Sequence, residues 1–345
     1  MQTIATILQT DSLSVGYAST GALLQNLQLE IRPGQLICLL GANGTGKSTL
    51  LRTLSGMQQA LQGKVILQGK TLGTFSGRDL SQRMSIVLTE RGIASHLRVK
   101  ELLAMGRHPY TGWFGRLNRD DQDIIQRVME ETTITNFSDR PLYELSDGER
   151  QKVMIARAMV QDTPIIILDE PTVHLDLPNR VEIMQLLRRL AHQQQKAILM
   201  SSHDLDLVMQ SADQLWLLQG KNIISGIPED LVLQGKLEQT FQEKNIRFDS
   251  FKGSFSMRKS AQHLISFREE GLAGHWTRQA LERSGFKVVE DASVSLSLSI
   301  QQSQSRPAWI LGREEETVLC HSLEAVLKVL KEQQWHLDKE MNKEG

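Results

Sequence analysis

The stretch "GANGTGKST", residues 41–49, separates two segments of opposite character. Before it, Gln35-Leu36-Ile37-Cys38-Leu39-Leu40 is an almost unbroken apolar run, the pattern of a strand buried on both faces. After it, residues 49–54 carry a helical pattern. Gly41, Gly46, Lys47 and Ser48 fit G-x-x-x-x-G-K-[ST], and a strand followed by a helix is the context that motif requires. Glycines, here Gly41, Gly44 and Gly46, let successive N–H groups curl round a phosphate, and the helix N-terminus adds partial positive charge. Asn43 and Thr49 belong to the same cradle. Lys47 is long enough to reach the β- and γ-phosphates, and the Ser48 hydroxyl is placed to ligate Mg²⁺. The stretch therefore predicts a phosphate-binding loop in an α/β domain.

A second half of a magnesium site belongs at the end of another buried strand. The run Ile165-Ile166-Ile167-Leu168 qualifies, and Asp169-Glu170 follow it. Asp169 is placed to hold Mg²⁺ through water, because Mg²⁺ keeps several of its waters. Glu170 is the candidate general base for an attacking water. Ala197-Ile198-Leu199-Met200 reads as a further buried strand. Helical patterns fall between, at 99–105, 120–131, 149–160 and 180–191. This alternation predicts a mostly parallel sheet.

The whole chain sets outer bounds. Its 345 residues suffice for two domains, and 40% hydrophobic with 23% charged is an ordinary globular composition. A net charge of −1 supplies no basic field for nucleic acid or an anionic membrane, so no nucleic-acid partner is expected. No apolar run of about 18 residues suggests a membrane span, and "MQTIATILQTDS" does not read as a signal peptide. Cys38 and Cys320 are scattered, with no metal-ligand spacing, and are expected to be buried and reduced.

Which phosphate-loop protein this is turns on "LSDGERQ", residues 145–151. It resembles the L-S-G-G-E-x-Q signature of ATP-binding cassette ATPases, with Asp147 in the third position. Further motifs stand in that family's order: Tyr17 upstream of the loop, Pro171-Thr172 after the carboxylates, Leu175-Asp176 as the D-loop, and His203 in "SSHDL" as the switch histidine. The match spans roughly residues 10–220. It implies a P-loop cassette fold over 1–245: a RecA-like core, an antiparallel β subdomain and a helical subdomain at about 96–160. It also implies ATP and Mg²⁺ as cofactors, with Tyr17 stacking on adenine and Glu170 and His203 catalytic. Ser146, Asp147, Gly148 and Glu149 form the signature, and Ser146 and Gly148 would reach the γ-phosphate of ATP held by a second subunit. One loop and one signature per chain then imply a homodimer with two sandwiched ATP molecules.

The segment "HLRVKELLAMGRHPYTGWFGRL", residues 96–117, is similar to the ATPases of importers for iron–siderophore complexes, haem and cobalamin. The expected function is the ATP-hydrolysing subunit of such an importer. It would work at the cytoplasmic face of the cell membrane with separate permease subunits and, indirectly, a substrate-binding protein. Tyr110, Trp113 and Phe114 are either core residues or part of the docking surface. The alternative is a non-transport cassette ATPase with a C-terminal regulatory domain. Such proteins typically carry long coiled coils or paired cassettes, and this sequence has neither. A phosphate-loop kinase does not account for "LSDGERQ".

Residues 246–262 change in texture and read as a linker or as a strand pair with a Lys-Gly turn. Residues 263–345 form an accessory domain. Short strands are expected at 264–267, 294–300, 308–311 and 317–320. One helix places Trp276, Ala280 and Leu281 on a single face and ends at Gly285. Leu323, Val326, Leu327 and Leu330 form a helical stripe behind Ser322. The order β-α-β-β-β-β-α predicts a small α/β sandwich that regulates the chain or stabilises its dimer.

Within "SIVLTERG", residues 85–92, the strand that in this family ends in a switch glutamine ends in Thr89-Glu90. Thr89 is the positional substitute, and Glu90 has the longer reach and a hard oxygen.

Overall fold

The computed structural model describes residues 6–88, 96–112, 115–241, 246–249, 253–257, 263–291, 293–301, 307–313 and 316–341. The chain folds as two compact units, Met1–Glu243 with Phe248–Ser256, and Lys244–Arg247 with Met257–Gly345. The first unit begins with β1 (Leu8–Tyr17), β2 (Gly21–Leu27), β3 (Glu30–Ile31), β4 (Leu36–Leu40), α1 (Lys47–Leu54), β5 (Gln62–Leu67) and β6 (Lys70–Thr71). Then come α2 (Gly77–Ser81), β7 (Met84–Val87), α3 (Val99–Gly106), α4 (Arg119–Glu131), α5 (Asp147–Val160), β8 (Ile165–Leu168) and α6 (Leu177–Gln194). It continues with β9 (Ala197–Ser201), α7 (Leu205–Ser211), β10 (Gln214–Gln219), β11 (Asn222–Gly226), α8 (Pro228–Leu233) and α9 (Lys236–Thr240).

Two sheets result. An antiparallel one runs β2-β1-β5-β6 with β3 also on β1, and a six-stranded one runs β11-β10-β4-β9-β8-β7. In the second, β10, β4, β9, β8 and β7 are parallel and β11 is antiparallel at the edge. Strands β4, β8 and β9 are buried at every residue, which is why their sequences show no polar alternation. Alternate residues of β4 serve different cores. Leu36, Cys38 and Leu40 pack with residues of α3, α5 and α6, while Ile37 and Leu39 pack with α1 and the antiparallel sheet. Strand order and polarity therefore bring the C-terminal ends of β4, β9 and β8 to one edge, where α/β sheets place their ligands.

Helices α3–α5 are clamped by a buried ion pair. Arg107 Nε donates to Asp121 Oδ1 at 2.8 Å, and the same guanidinium donates to the Val160 carbonyl at 3.0 Å. Asn118 and Asp121 cap α4 reciprocally. Among the described residues no helix is long and apolar enough to cross a membrane.

The stretch expected as a linker or a strand pair holds two strands, β12 (Ile246–Asp249) and β13 (Ser254–Met257), which pair with each other. Phe255 packs against both Phe241 and Phe248 in the first unit. The second unit then runs β14 (His263–Phe267), α10 (Gly271–Arg283), β15 (Phe286–Val289), β16 (Leu296–Gln301), β17 (Ala308–Arg313), β18 (Glu316–Cys320) and α11 (Leu323–Met341). Its sheet order is β15-β14-β16-β17-β18, and β15 supplies the strand that the expected order left unplaced. Ile265, Phe267, Leu281, Leu298, Leu311, Val326 and Leu330 form its core.

One expectation fails in this unit. Trp276 does not share the buried face of α10: it is 59% exposed, while Gly274, Thr277, Ala280 and Leu281 are buried. The buried face is the one that carries Thr277, whose hydroxyl accepts a hydrogen bond from Trp309 Nε1 at 2.8 Å, and Trp276 lies about 100° round the helix from Thr277. Cys38 and Cys320 are both buried and free.

Candidate functional site

The loop after β4 ends in a helix whose N-terminus is left open. Gly46, the cap residue of α1, sits at φ +104°, and Gly44 at φ +76°, conformations that L side chains rarely adopt. No side chain caps α1, and no acidic residue lies in its first turn. Helices α2, α4, α5, α6 and α7 are by contrast capped by Ser76, Asn118, Ser146, Asp176 and Asp204. The first N–H groups of α1 therefore remain available to an anion. Lys47 is buried, and its Nζ donates to the Gly41 and Ala42 carbonyls at 2.8 and 3.0 Å. Burial pushes its ammonium below the ordinary lysine value, against the opposing negative charges of Glu170 and Asp169. Asn43, Gly44 and Ser48 are exposed, and Thr49 is buried.

Tyr17 ends β1, 45% exposed, with its hydroxyl 3.4 Å from Thr49 Oγ1. That contact sets the Tyr17 ring beside the start of α1.

Asp169 and Glu170 leave β8 at the sheet edge. Asp169 is buried, and its N–H donates to the Val87 carbonyl at 2.8 Å. Glu170 adopts φ +51°, rare for a residue with a side chain, and its Oε1 pairs with His203 Nε2. Carboxylate and imidazole thus face each other from β8 and β9, an arrangement able to orient a water and take its proton.

Ser48 and Asp169 present hard oxygen donors, the chemistry Mg²⁺ prefers. Among the described residues no group of three or more His, Cys, Asp or Glu could hold a metal by itself. The donor set fits Mg²⁺.

The signature residues start α5, two residues earlier than the helical pattern suggested. Ser146 is the cap, Asp147 and Gly148 lie in the first turn, and Glu149 closes a capping box. Ser146 N–H donates to Glu149 Oε2 at 2.9 Å, and Glu149 N–H donates to Ser146 Oγ at 3.3 Å. The bond from the Ser146 N–H, with one from its hydroxyl, holds the Glu149 carboxyl below the usual carboxylate range. Ser146 and Asp147 are exposed. Asp176 caps α6 by accepting from Asn179 N–H at 3.1 Å and from Asn179 Nδ2 at 2.6 Å.

Three residues that sequence reasoning passed over join these pieces. Ser201 Oγ donates to Asp169 Oδ1 at 2.6 Å and accepts from Glu170 N–H at 2.8 Å. The Asn179 carboxamide lies against Gly148, where an added Cβ would come within 2.8 Å of it. Arg180 donates to the Leu175 carbonyl at 2.7 Å and to Asp204 Oδ2 at 3.1 Å, tying the segment before Asp176 to the turn after His203. The S-x-x-E spacing at 146–149 was readable as a capping box, but these three links join residues distant in sequence or read across the fold. Thr89, Glu90, Trp113 and Phe114 lie outside the described residues. Tyr110 is about one-third exposed, at 36%, with the Arg107 guanidinium 4.0 Å from its ring centre.

Comparison with known proteins places the chain in a family. Residues 24–173 match the family model described as ABC transporter, and residues 262–331 match the one described as iron ABC transporter C-terminal domain. The chain is 39% identical to the iron(3+)-hydroxamate import ATP-binding protein of Bacillus subtilis, over 68% of this chain and 87% of that one. It is 36% identical to an uncharacterised ABC transporter ATP-binding protein of Methanocaldococcus jannaschii, over 74% of this chain and 88% of the relative. Among solved structures, a Clostridium perfringens protein described as part of an ABC transporter complex superposes with TM-score 0.59 at 25% identity. That match covers 67% of this chain and 95% of that one.

Proposed function

The chain belongs to the ABC transporter ATP-binding protein family, and on that premise we propose that it powers import of an iron complex through separate membrane subunits. Its activity is hydrolysis of ATP to ADP and phosphate, coupled to transport. The observation that carries the assignment of roles is the convergence at one sheet edge. The open N-terminus of α1 with Lys47, the Asp169–Glu170 pair and His203 all meet there.

In this reading Gly41, Asn43, Gly44, Gly46, Lys47, Ser48 and Thr49 hold the phosphates through N–H groups and one ammonium, and Tyr17 stacks on adenine. Ser48 and Asp169 are the residues that would hold Mg²⁺, which would supply positive charge beside the phosphates. Glu170 accepts a proton from the attacking water, and His203, bonded to Glu170, orients it. Ser146, Asp147 and Gly148 reach the nucleotide of a second copy, with Glu149 holding Ser146 in place and Asp176 lying between the two copies. The chain works as a homodimer at the cytoplasmic face of the membrane. Thr89 takes the place of the switch glutamine, with Glu90 beside it.

The cargo is a siderophore or haem iron complex, or cobalamin, recognised outside this chain by permease and binding protein. Iron is favoured by the match of residues 262–331 to the iron transporter C-terminal domain and by the iron(3+)-hydroxamate relative. Glu170→Gln should retain ATP binding and lose about 10²- to 10⁴-fold in phosphate release. Cells carrying only that variant should fail to take up a ferric siderophore. Undiminished uptake would sink the transport reading, and purification without any polytopic membrane partner would favour the non-transport alternative.

A further inference from the structure

Ser201 is the last residue of β9 and is fully buried. Parallel register sets Leu168 beside Met200, so the next residues along, Asp169 and Ser201, are neighbours across the sheet edge. One hydroxyl has one proton to give. Because Glu170 N–H donates to Ser201 Oγ at 2.8 Å, the Ser201 proton goes to Asp169 Oδ1, at 2.6 Å.

We propose that Ser201 is the positioning residue that sets Asp169 and Glu170 together, so that the cation site and the water-orienting base share one reference atom. Three observations converge on it. The bond to Asp169 fixes one oxygen of its carboxylate. The bond from Glu170 N–H holds the φ +51° turn that aims the Glu170 side chain at His203. A left-handed turn at a residue with a side chain is strained, and it persists only where neighbours enforce it. Finally, the strand that ends at Ser201 continues directly to His203, so any shift of one group is felt by the other two. Ser202 does not duplicate the role, because its Oγ accepts from Asp204 N–H within its own turn.

The inference rests on the ATPase reading of this site, and the experiment separates the two. Binding of a fluorescent ATP analogue is titrated with Mg²⁺ on the full chain, and steady-state turnover is measured at saturating Mg²⁺. Wild type with no Mg²⁺-dependent nucleotide binding would overturn the ATPase reading itself. Given that binding, Ser201→Ala should need about 10- to 100-fold more Mg²⁺ for half-maximal binding, the usual effect of removing a residue that orients a metal ligand. Its kcat should fall by a similar factor, with KM for ATP and binding in EDTA little changed. Ser201→Thr, which keeps the hydroxyl, should restore both the Mg²⁺ midpoint and kcat. A folded Ser201→Ala with the wild-type Mg²⁺ midpoint overturns the proposal. If Ser201→Ala does not fold, Ser201→Cys, a weak donor, takes its place: a midpoint raised relative to Ser201→Thr supports the proposal, and an equal one overturns it.

Discussion

Gly148 and Asn179 set what the signature tolerates at the scale of single residues. The Asn179 carboxamide occupies the space a Cβ would need at Gly148, and it is held there by its 2.6 Å bond to Asp176. Helix propensity alone would favour alanine in α5 by about 1 kcal/mol. The loss expected for Gly148→Ala is therefore a report on displaced Asn179. Gly148→Ala should lower stability by about 1 kcal/mol, and adding Asn179→Ala should relieve the clash. Denaturant titrations of the two single variants and the double should show a coupling of about 0.5–3 kcal/mol. Additive effects would mean that the two sites do not communicate.

At the scale of elements, the pair Arg107–Asp121 decides how α3, α4 and α5 hold together. Both side chains are less than one-tenth exposed. Burial by itself would raise the Asp121 carboxyl. Hydrogen bonds from Arg107 and from the Asn118 N–H, with the Arg107 charge, outweigh it and leave Asp121 below the ordinary aspartate value. A carboxyl depressed on folding contributes stability above its unfolded value, near pH 4, and that contribution is lost as pH falls through the folded value. Asp121→Ala should cost about 3–5 kcal/mol at neutral pH, because Arg107 is left buried without its partner. The difference between wild type and variant, followed by urea unfolding, should shrink as pH falls below about 4. A difference that is constant down to pH 2 would contradict this account.

At the scale of the whole molecule, the first unit buries two core clusters and the second unit one of its own. All the residues assigned to ATP lie in the first. A chain ending before residue 262 should therefore bind ATP with wild-type affinity while its dimerisation or regulation changes, as read by nucleotide titration and by sedimentation with and without ATP. Loss of ATP binding would show that the second unit contributes to the site.

The sequence by itself determined the phosphate loop, the Asp169–Glu170 pair, the signature, His203 and the β-α-β-β-β-β-α order of the second unit. These are legible because each depends on residues a few positions apart: an apolar run that ends in glycines or carboxylates is a strand delivering a loop. Only the tertiary structure decided that β4, β9 and β8 are neighbours, that Ser201 joins the Asp169 carboxylate to the Glu170 N–H, and that Trp276 faces outward. Those outcomes depend on hydrogen bonds between residues some 30 positions apart, such as Ser201 to Asp169 and Trp309 to Thr277. A serine at the end of an apolar strand looks the same in sequence whether its hydroxyl meets water or a carboxylate. The buried bond between Trp309 and Thr277 likewise joins two residues neither of which announces the other along the chain.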